Sequence, residues 1–459
     1  VVGTSVNPGL RSQVSVKAHK KFHSGKAKLH SHWSIPSTNG QLRHKGKNHA
    51  QKALPPIPPQ AFIDKLSSRT LAPGVVYKYY HGALNINVID VDMMTAKVQV
   101  KPVLAGDSFN QLADVRDHAE KINAIAAVNA NYFKKDGTPL GTLIENGQWV
   151  AGPLNDRVSL GISRCGFVRI DRVDLNGLME TSNVAVPSIW VNNINQPRRH
   201  GAHLIVYTPR WGRSVHMPYA GSLVAVNNQG EVLDKGTTYM SIPNGGFVLS
   251  DSKDAAISKL ERGDLVHISW QSHPDDWSDV VQAVSGGPTL IKNGNLFLDM
   301  ADEGFHNNWA GSQIHARTAV GVTLYNHLLL TTVEGPHTLY DLAKFLYGLG
   351  AVEAMNLDGG GSTTMVVNGV AVTRNGNVHE RRVASALAII DASKPLLDHT
   401  MGSIGYKPST DLTNFHTAAA SLPALKEYID VASQEKLADF GNSFETTTIS
   451  TSGVDPAKD

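Results

Sequence analysis

Three consecutive glycines, Gly359, Gly360 and Gly361, interrupt an otherwise apolar passage in the stretch NLDGGGSTTMVVNG, residues 356–369. Met355 and Leu357 precede them, and Met365, Val366 and Val367 follow. Both flanks suit buried strands. The chain must therefore pass from one strand to another through three positions without a Cβ. Such a run lets backbone amides approach a ligand closely, or lets the backbone take positive φ. Asp358 stands at the mouth of the run, and Ser362, Thr363 and Thr364 add three hydroxyls. A P-loop is excluded, because that motif needs a lysine after its last glycine. One acid, three hydroxyls and free amides suit a sugar or a phosphate. The alternative is a β-turn that its own aspartate caps.

A chain of 459 residues with 41% hydrophobic content can bury a sizeable core around such a loop. No run of eighteen apolar residues occurs, so no transmembrane helix is expected. The one cysteine, Cys165, precludes an intramolecular disulfide. The sequence starts at Val1 with no signal-peptide core, which we read as a leader or initiator already removed. The expected location is secreted, periplasmic or at the cell envelope. The net charge of +2 hides an asymmetry. Residues 1–63 hold ten Lys and Arg and no acid, the first acid being Asp64. The chain's 42 bases less these ten leave 32 against 40 acids.

Residues 1–60, rich in Lys, His and Ser and closing on the prolines of Leu54–Pro59, read as a disordered tail and linker. Its basic charge suits an anionic envelope polymer or phospholipid. Its histidines match no metal-site spacing. Nucleic acid is not an expected partner. From Val75 the pattern turns to short strands, which carry through to Leu104. Helical spacing predicts a helix over 110–122. The segment 125–133 (IAAVNANYF) reads as a buried strand ending in Asn129 and Asn131, which either cap a turn or face a site. Asn146-Gly147 and Asn293-Gly294 mark hairpins. Residues 157–250 are strand-rich, with a polar loop 194–201 carrying Arg198 and Arg199, and a short helix is expected over 253–260. Strands are expected at 317–323 and 327–334, with Arg317 and Glu334 at their ends, and at 381–390, beginning with Arg381 and Arg382. Thr338 and Asp341 form a capping-box pattern for a helix that Gly350 stops. Residues 392–459 revert to a low-complexity tail with one possible helix at 422–437. The fold class expected is α+β: strand-rich mixed sheets with a few packed helices in one large catalytic domain, 75–391.

The segments SGGPTLIKNG, HARTAVGVT, the run from Leu339 through NLDGGGSTTMVVNG, and ERRVASALAI resemble, in order and spacing, the phosphodiester glycosidase family. AVNANYF is similar to that family's Asn-Phe signature. The resemblance covers about residues 75–391. Pro336 stands where the family usually has an arginine, and Ala316 where it has a proline. The cysteine-rich additions of animal members are absent.

The resemblance implies hydrolysis of a sugar-1-phosphodiester at the anomeric C–O bond, without a cofactor. A transition state of oxocarbenium type needs a carboxylate near C1. We assign this to Asp358, as nucleophile or stabiliser, with Glu334 as second acid and Asp302 in reserve. Phosphate leaves readily, so cations that take up its charge matter more than a strong acid. Arg317, and Arg381 or Arg382, fill that role through paired N–H bonds. Gly359, Gly360, Gly361, Ser362 and Thr363 supply amide and hydroxyl contacts. Asn129 and Asn131 read sugar hydroxyls or orient the acid, and His315 is a candidate proton carrier. Asp299, Asp302 and Glu303 lie close in sequence, yet no ligand spacing among them demands a metal. Two other classes compete. One is a non-catalytic carbohydrate-binding envelope protein. The other is a metal-dependent phosphatase or nuclease, which would need a metal cluster or activated nucleophile.

Overall fold

The computed structural model describes residues 65–392, except 83–84, 200–201, 254, 275–276, 299, 306–313 and 374–379. The expected tail 1–60 lies outside the described residues, as does the expected tail 392–459 beyond Ala392. An eight-stranded sheet forms the centre. In spatial order its strands are Lys65–Ala72, Val75–His81, Asn85–Asp92, His327–His337, His315–Thr323, Ala351–Asn356, Thr289–Lys292 and Asn295–Leu296. A second sheet orders Val370–Ala371, Met365–Val367, Ala126–Asn129, Ser385–Asp391 and Val98–Leu104. A third orders Gln148–Ala151, Leu143–Glu145, Val280–Ser285, Val158–Ser163 and Val168–Arg172. A fourth five-stranded sheet, a three-stranded sheet and a two-stranded ribbon are built from residues 174–273. Neighbouring strands are antiparallel throughout, apart from Asn193–Ile194 beside Ile205–Tyr207. The architecture is α+β with strand dominant, as the sequence implied.

The largest apolar core lies where the first three sheets face one another. Val75, Ile89 and Met355 come from the first sheet; Val100, Val128 and Met365 from the second; Leu143, Leu160 and Val284 from the third. The helix Leu339–Gly348 covers the other face of the central sheet with Leu339, Leu342, Phe345 and Leu346. Each such side chain contributes roughly 1.5–3 kcal/mol on burial. Thr338 caps this helix: its Oγ1 accepts from the Asp341 amide at 3.1 Å and donates to Asp341 Oδ2 at 2.6 Å. Three Asn-Gly pairs, at 146–147, 293–294 and 368–369, turn their hairpins with both residues at positive φ, as type I′ turns require.

Four elements differ from expectation. The described body starts at Lys65, with a strand, KLSSRTLA, whose first six residues are exposed and carry no apolar alternation. The helix expected over 110–122 is Val115–Lys121, because Asn110 takes positive φ and Asp114 stays extended. The helix expected over 253–260 is a single 3-10 turn, Ala256–Lys259. The last strand begins at Ser385, so Arg381 and Arg382 precede it. Among the described residues no helix is long and apolar enough to cross a membrane.

Candidate functional site

The glycine run is a crossover between sheets. Asn356 ends a strand of the central sheet, and Met365 starts a strand of the second. The passage Ser285–Thr289 likewise carries the chain from the third sheet into the first. These crossovers meet. The Gly287 amide donates to the Asn356 carbonyl at 2.7 Å, and Leu357 and Asp358 donate to the carbonyls of Thr318 and Ala130 at 2.8 and 3.2 Å.

Gly360 requires its glycine for φ 63, in a 3-10 turn over Gly360–Ser362. Gly361 leaves room for a side chain: a Cβ there would stand 2.9 Å from the Arg381 guanidinium, which lies over it. A Cβ on Gly359 would meet the Ala316 carbonyl at 3.1 Å and Arg317 Cδ at 3.7 Å. The bare loop is therefore flanked by two arginines, one along Gly359 and one over Gly361.

Asp358 is partly exposed, and its Oδ1 accepts the Gly359 amide at 3.0 Å. Burial of the carboxyl pushes its pKa up to about 6, while nearby Ser362, the Gly359 amide and the Arg381 cation pull the other way. Ser362 is fully buried, and its hydroxyl approaches the carboxylate without hydrogen-bond geometry. Arg381 is thus the cation whose field reaches Asp358. Arg317 is 7% exposed; its Nε donates to the His337 carbonyl at 3.4 Å, and desolvation lowers its pKa.

The other sequence-expected residues divide. Asn129 is fully buried beside the loop. Its Nδ2 donates to the Asp358 carbonyl at 2.6 Å, and its Oδ1 accepts Thr318 Oγ1 at 2.7 Å and the Thr364 amide at 3.1 Å. Asn131 donates to the Leu140 and Thr142 carbonyls at 3.3 and 3.1 Å and accepts Ser385 Oγ at 3.4 Å. Both side chains are engaged inside the protein; that of Asn129 holds the loop backbone, whereas the partners of Asn131 lie outside the loop. Thr363 is fully buried behind the loop. Arg382 turns away and donates to the Leu112 carbonyl. Glu334 accepts Asn87 Nδ2 at 3.1 Å, and Asn87 in turn accepts the Tyr77 hydroxyl at 2.7 Å. Its neighbour Val333 is the residue opposite Arg317, so Glu334 points to the other face of the strand. Asp302 is exposed and pairs with Arg172 at 2.6 Å. His315 is exposed. Asp299 lies outside the described residues. Among those described, no group of three metal-ligating side chains forms.

Two residues at the site escaped the sequence reading. The half-buried Tyr132 directs its hydroxyl to the Gly287 carbonyl at 2.9 Å and accepts Asn356 Nδ2 at 2.8 Å; burial, then the Asp358 charge, push its pKa well up. It follows Asn131 in the segment already singled out, which was the available signal. Arg157 stacks over Tyr132 and Phe305, its guanidinium carbon 5.3 and 4.2 Å from the ring centroids. An arginine at a strand start carries no local pattern that marks it.

Residues 220–390 match the family model for phosphodiester glycosidase. That span includes Arg317, Glu334, Asp358, the glycine run, Arg381 and Arg382. The N-acetylglucosamine-1-phosphodiester alpha-N-acetylglucosaminidase of Bos taurus is 31% identical over 169 residues, 33% of this chain and 32% of that protein. The Mus musculus protein of the same name is 31% identical over 168 residues, with the same coverage. The Homo sapiens protein is 34% identical over 116 residues, 22% of each chain. The chain thus spans no more than 32% of the length of these curated relatives. In fold, a crystal structure of a hypothetical protein from Synechocystis superposes with TM-score 0.65 at 22% identity, covering 71% of this chain and 63% of that one. A crystal structure from Burkholderia pseudomallei gives 0.57 at 22% identity, covering 69% and 74%. The stretch that builds the glycine loop and both flanking arginines therefore lies within a segment similar to the phosphodiester glycosidases, and the chain resembles that family.

Proposed function

We propose that the chain is a glycosidase that hydrolyses the anomeric C–O bond of a sugar-1-phosphodiester. Water supplies the hydroxyl at C1, and the phosphate departs as a monoester with the bridging oxygen. The observation that carries this reading is the juxtaposition of Asp358 with Arg381 across the glycine loop, inside the segment that matches the family model.

Asp358 acts at C1 as nucleophile or as stabiliser of positive charge, and it must be ionised to do so. Arg381 and Arg317 receive the phosphate from the two sides of the loop and neutralise the charge it gains on leaving. The loop amides complete the anion contact. Asn129 holds the loop in place, Asn131 braces the strand end behind Asn129, and Glu334 acts from the neighbouring strand end. We place the protein outside the cytoplasm, with the acid-free segment before Asp64 attached to an anionic envelope surface.

The test is turnover of a sugar-1-phosphate diester by purified protein, followed as free reducing sugar. Loss of turnover in folded Asp358→Asn and Asp358→Ala supports the reading. Turnover like that of wild type in either variant removes Asp358 from the chemistry. Glycan binding without product favours the non-catalytic alternative, and loss of activity with chelator favours the metal-dependent one.

A further inference from the structure

Arg157 has the surroundings of a group that awaits an anion. It is half-buried, and its Nε is shielded from solvent with no hydrogen-bond partner. The Phe305 and Tyr132 rings fix its plane. A second guanidinium, Arg199, lies close enough to oppose its charge. Arg199 is exposed on the polar loop after Ile194, and its Nη1 donates to Asn155 Oδ1 at 2.9 Å. Neither arginine has an ion-pair partner among the described residues. Asp156, the nearest acid in sequence, is held by Arg172 at 3.0 Å. Glu303 favours the Arg157 charge from a distance, yet its oxygens are engaged by the amide and hydroxyl of Thr289 at 2.7 and 2.6 Å and by the Val158 amide at 3.3 Å. Two neighbouring guanidiniums with no carboxylate in ion-pair contact favour an anion between them.

Tyr132 connects this corner to the acid. The Asn356 amide nitrogen that donates to its hydroxyl also donates, at 2.6 Å, to the Leu357 carbonyl, whose peptide leads into Asp358. Arg157 thus stands one aromatic ring away from the loop. A phosphodiester carries a single negative charge, and Arg317 and Arg381 already flank its proposed place. Two further arginines exceed what that charge requires.

We propose that Arg157 and Arg199 form a subsite for a second anionic group of the substrate, a carboxylate or phosphate held across the Tyr132 ring from the scissile bond. The inference rests on the glycosidase reading. A guanidinium whose plane is fixed by stacking offers two parallel N–H bonds to such a group. The group belongs either to an acidic sugar or to an acidic aglycone.

Three diesters separate these sources: a neutral hexose-1-phosphate methyl diester, the hexuronate equivalent, and the neutral hexose diester of a carboxyethyl alcohol. Wild type is expected to cleave one of the two acidic diesters with kcat/KM at least about tenfold above the neutral one, mainly through KM. The acidic diester that is preferred names the source. Arg157→Gln and Arg199→Gln each reduce that preference about fivefold or more, and Arg157→Lys retains part of it. Arg199 is exposed, so its variant keeps the test sound should Arg157→Gln fold poorly. Equal cleavage of all three diesters by wild type overturns the subsite and leaves the glycosidase standing, as does a preference that survives both Gln variants. Inertness toward all three overturns the glycosidase and the subsite together.

Discussion

Two glycine crossovers meet at the central sheet and behave differently: one enters it from the third sheet, the other leaves it for the second. At Ser285–Thr289 the glycines are sealed. A Cβ on Gly286 would collide with the Asn356 carbonyl, and one on Gly287 would stand 2.6 Å from the buried Glu303 carboxylate, at φ 114. At Gly359–Gly361 the tightest neighbour is the end of a flexible arginine, and all three residues keep partial exposure. The first crossover uses glycine to let backbone pack on backbone. The second uses it to leave room beside an acid and two cations. Glycine content alone does not separate a joint from a site; what occupies the missing Cβ volume does.

The largest effect expected is at Asp358. Asp358→Asn should lower turnover by about a thousandfold or more while making the fold more stable. Burial raises the Asp358 pKa above its ordinary value, so the stability it contributes is complete in acid and is lost as pH rises through about 6. The gap in denaturation midpoint between Asp358→Asn and wild type should therefore be near zero around pH 4 and open by on the order of 2–3 kcal/mol above neutrality. A variant no more stable than wild type at neutral pH would mean that the carboxyl is not strained in the folded state.

The comparison of crossovers breaks or holds on two substitutions. Gly286→Ala should cost roughly 2–4 kcal/mol in urea denaturation, since rigid backbone must move. Gly361→Ala should cost less than about 1 kcal/mol but lower kcat/KM about tenfold, because it displaces the Arg381 guanidinium. Equal destabilisation by the two would erase the distinction between joint and site.

A pH profile sharpens it further. Activity should rise as pH passes through about 6, as Asp358 ionises. Arg381 favours the ionised form, so Arg381→Gln should move that limb to higher pH. An unmoved limb would assign it to another group. The smallest effect belongs to a region remote from the loop: Thr338→Ala removes a helix cap, worth about 1 kcal/mol, and should leave kcat/KM unchanged.

Local signals were legible wherever chemistry is local. Asn-Gly pairs announced their turns, Thr338 and Asp341 announced their helix, and Asp358 with its glycines announced the loop. The strand Lys65–Ala72 was not legible because its exposed residues lack alternation. Arg381 and Arg382 read as one strand start, yet one covers Gly361 and the other reaches Leu112. Only the approach of sheets distant in sequence decides that. Tyr132 and Arg157 owe their position to the same approach, as does the separation of Glu334 from Arg317 on opposite faces of neighbouring strands.

Asn129 spans that approach. With one small side chain it grips the Asp358 carbonyl, Thr318 of the central sheet and Thr364 of the loop's far end. The backbone that carries the acid is consequently clasped from two sheets at once. Side chains around Asp358 can therefore change while the peptide that positions its carboxylate stays where Asn129 holds it.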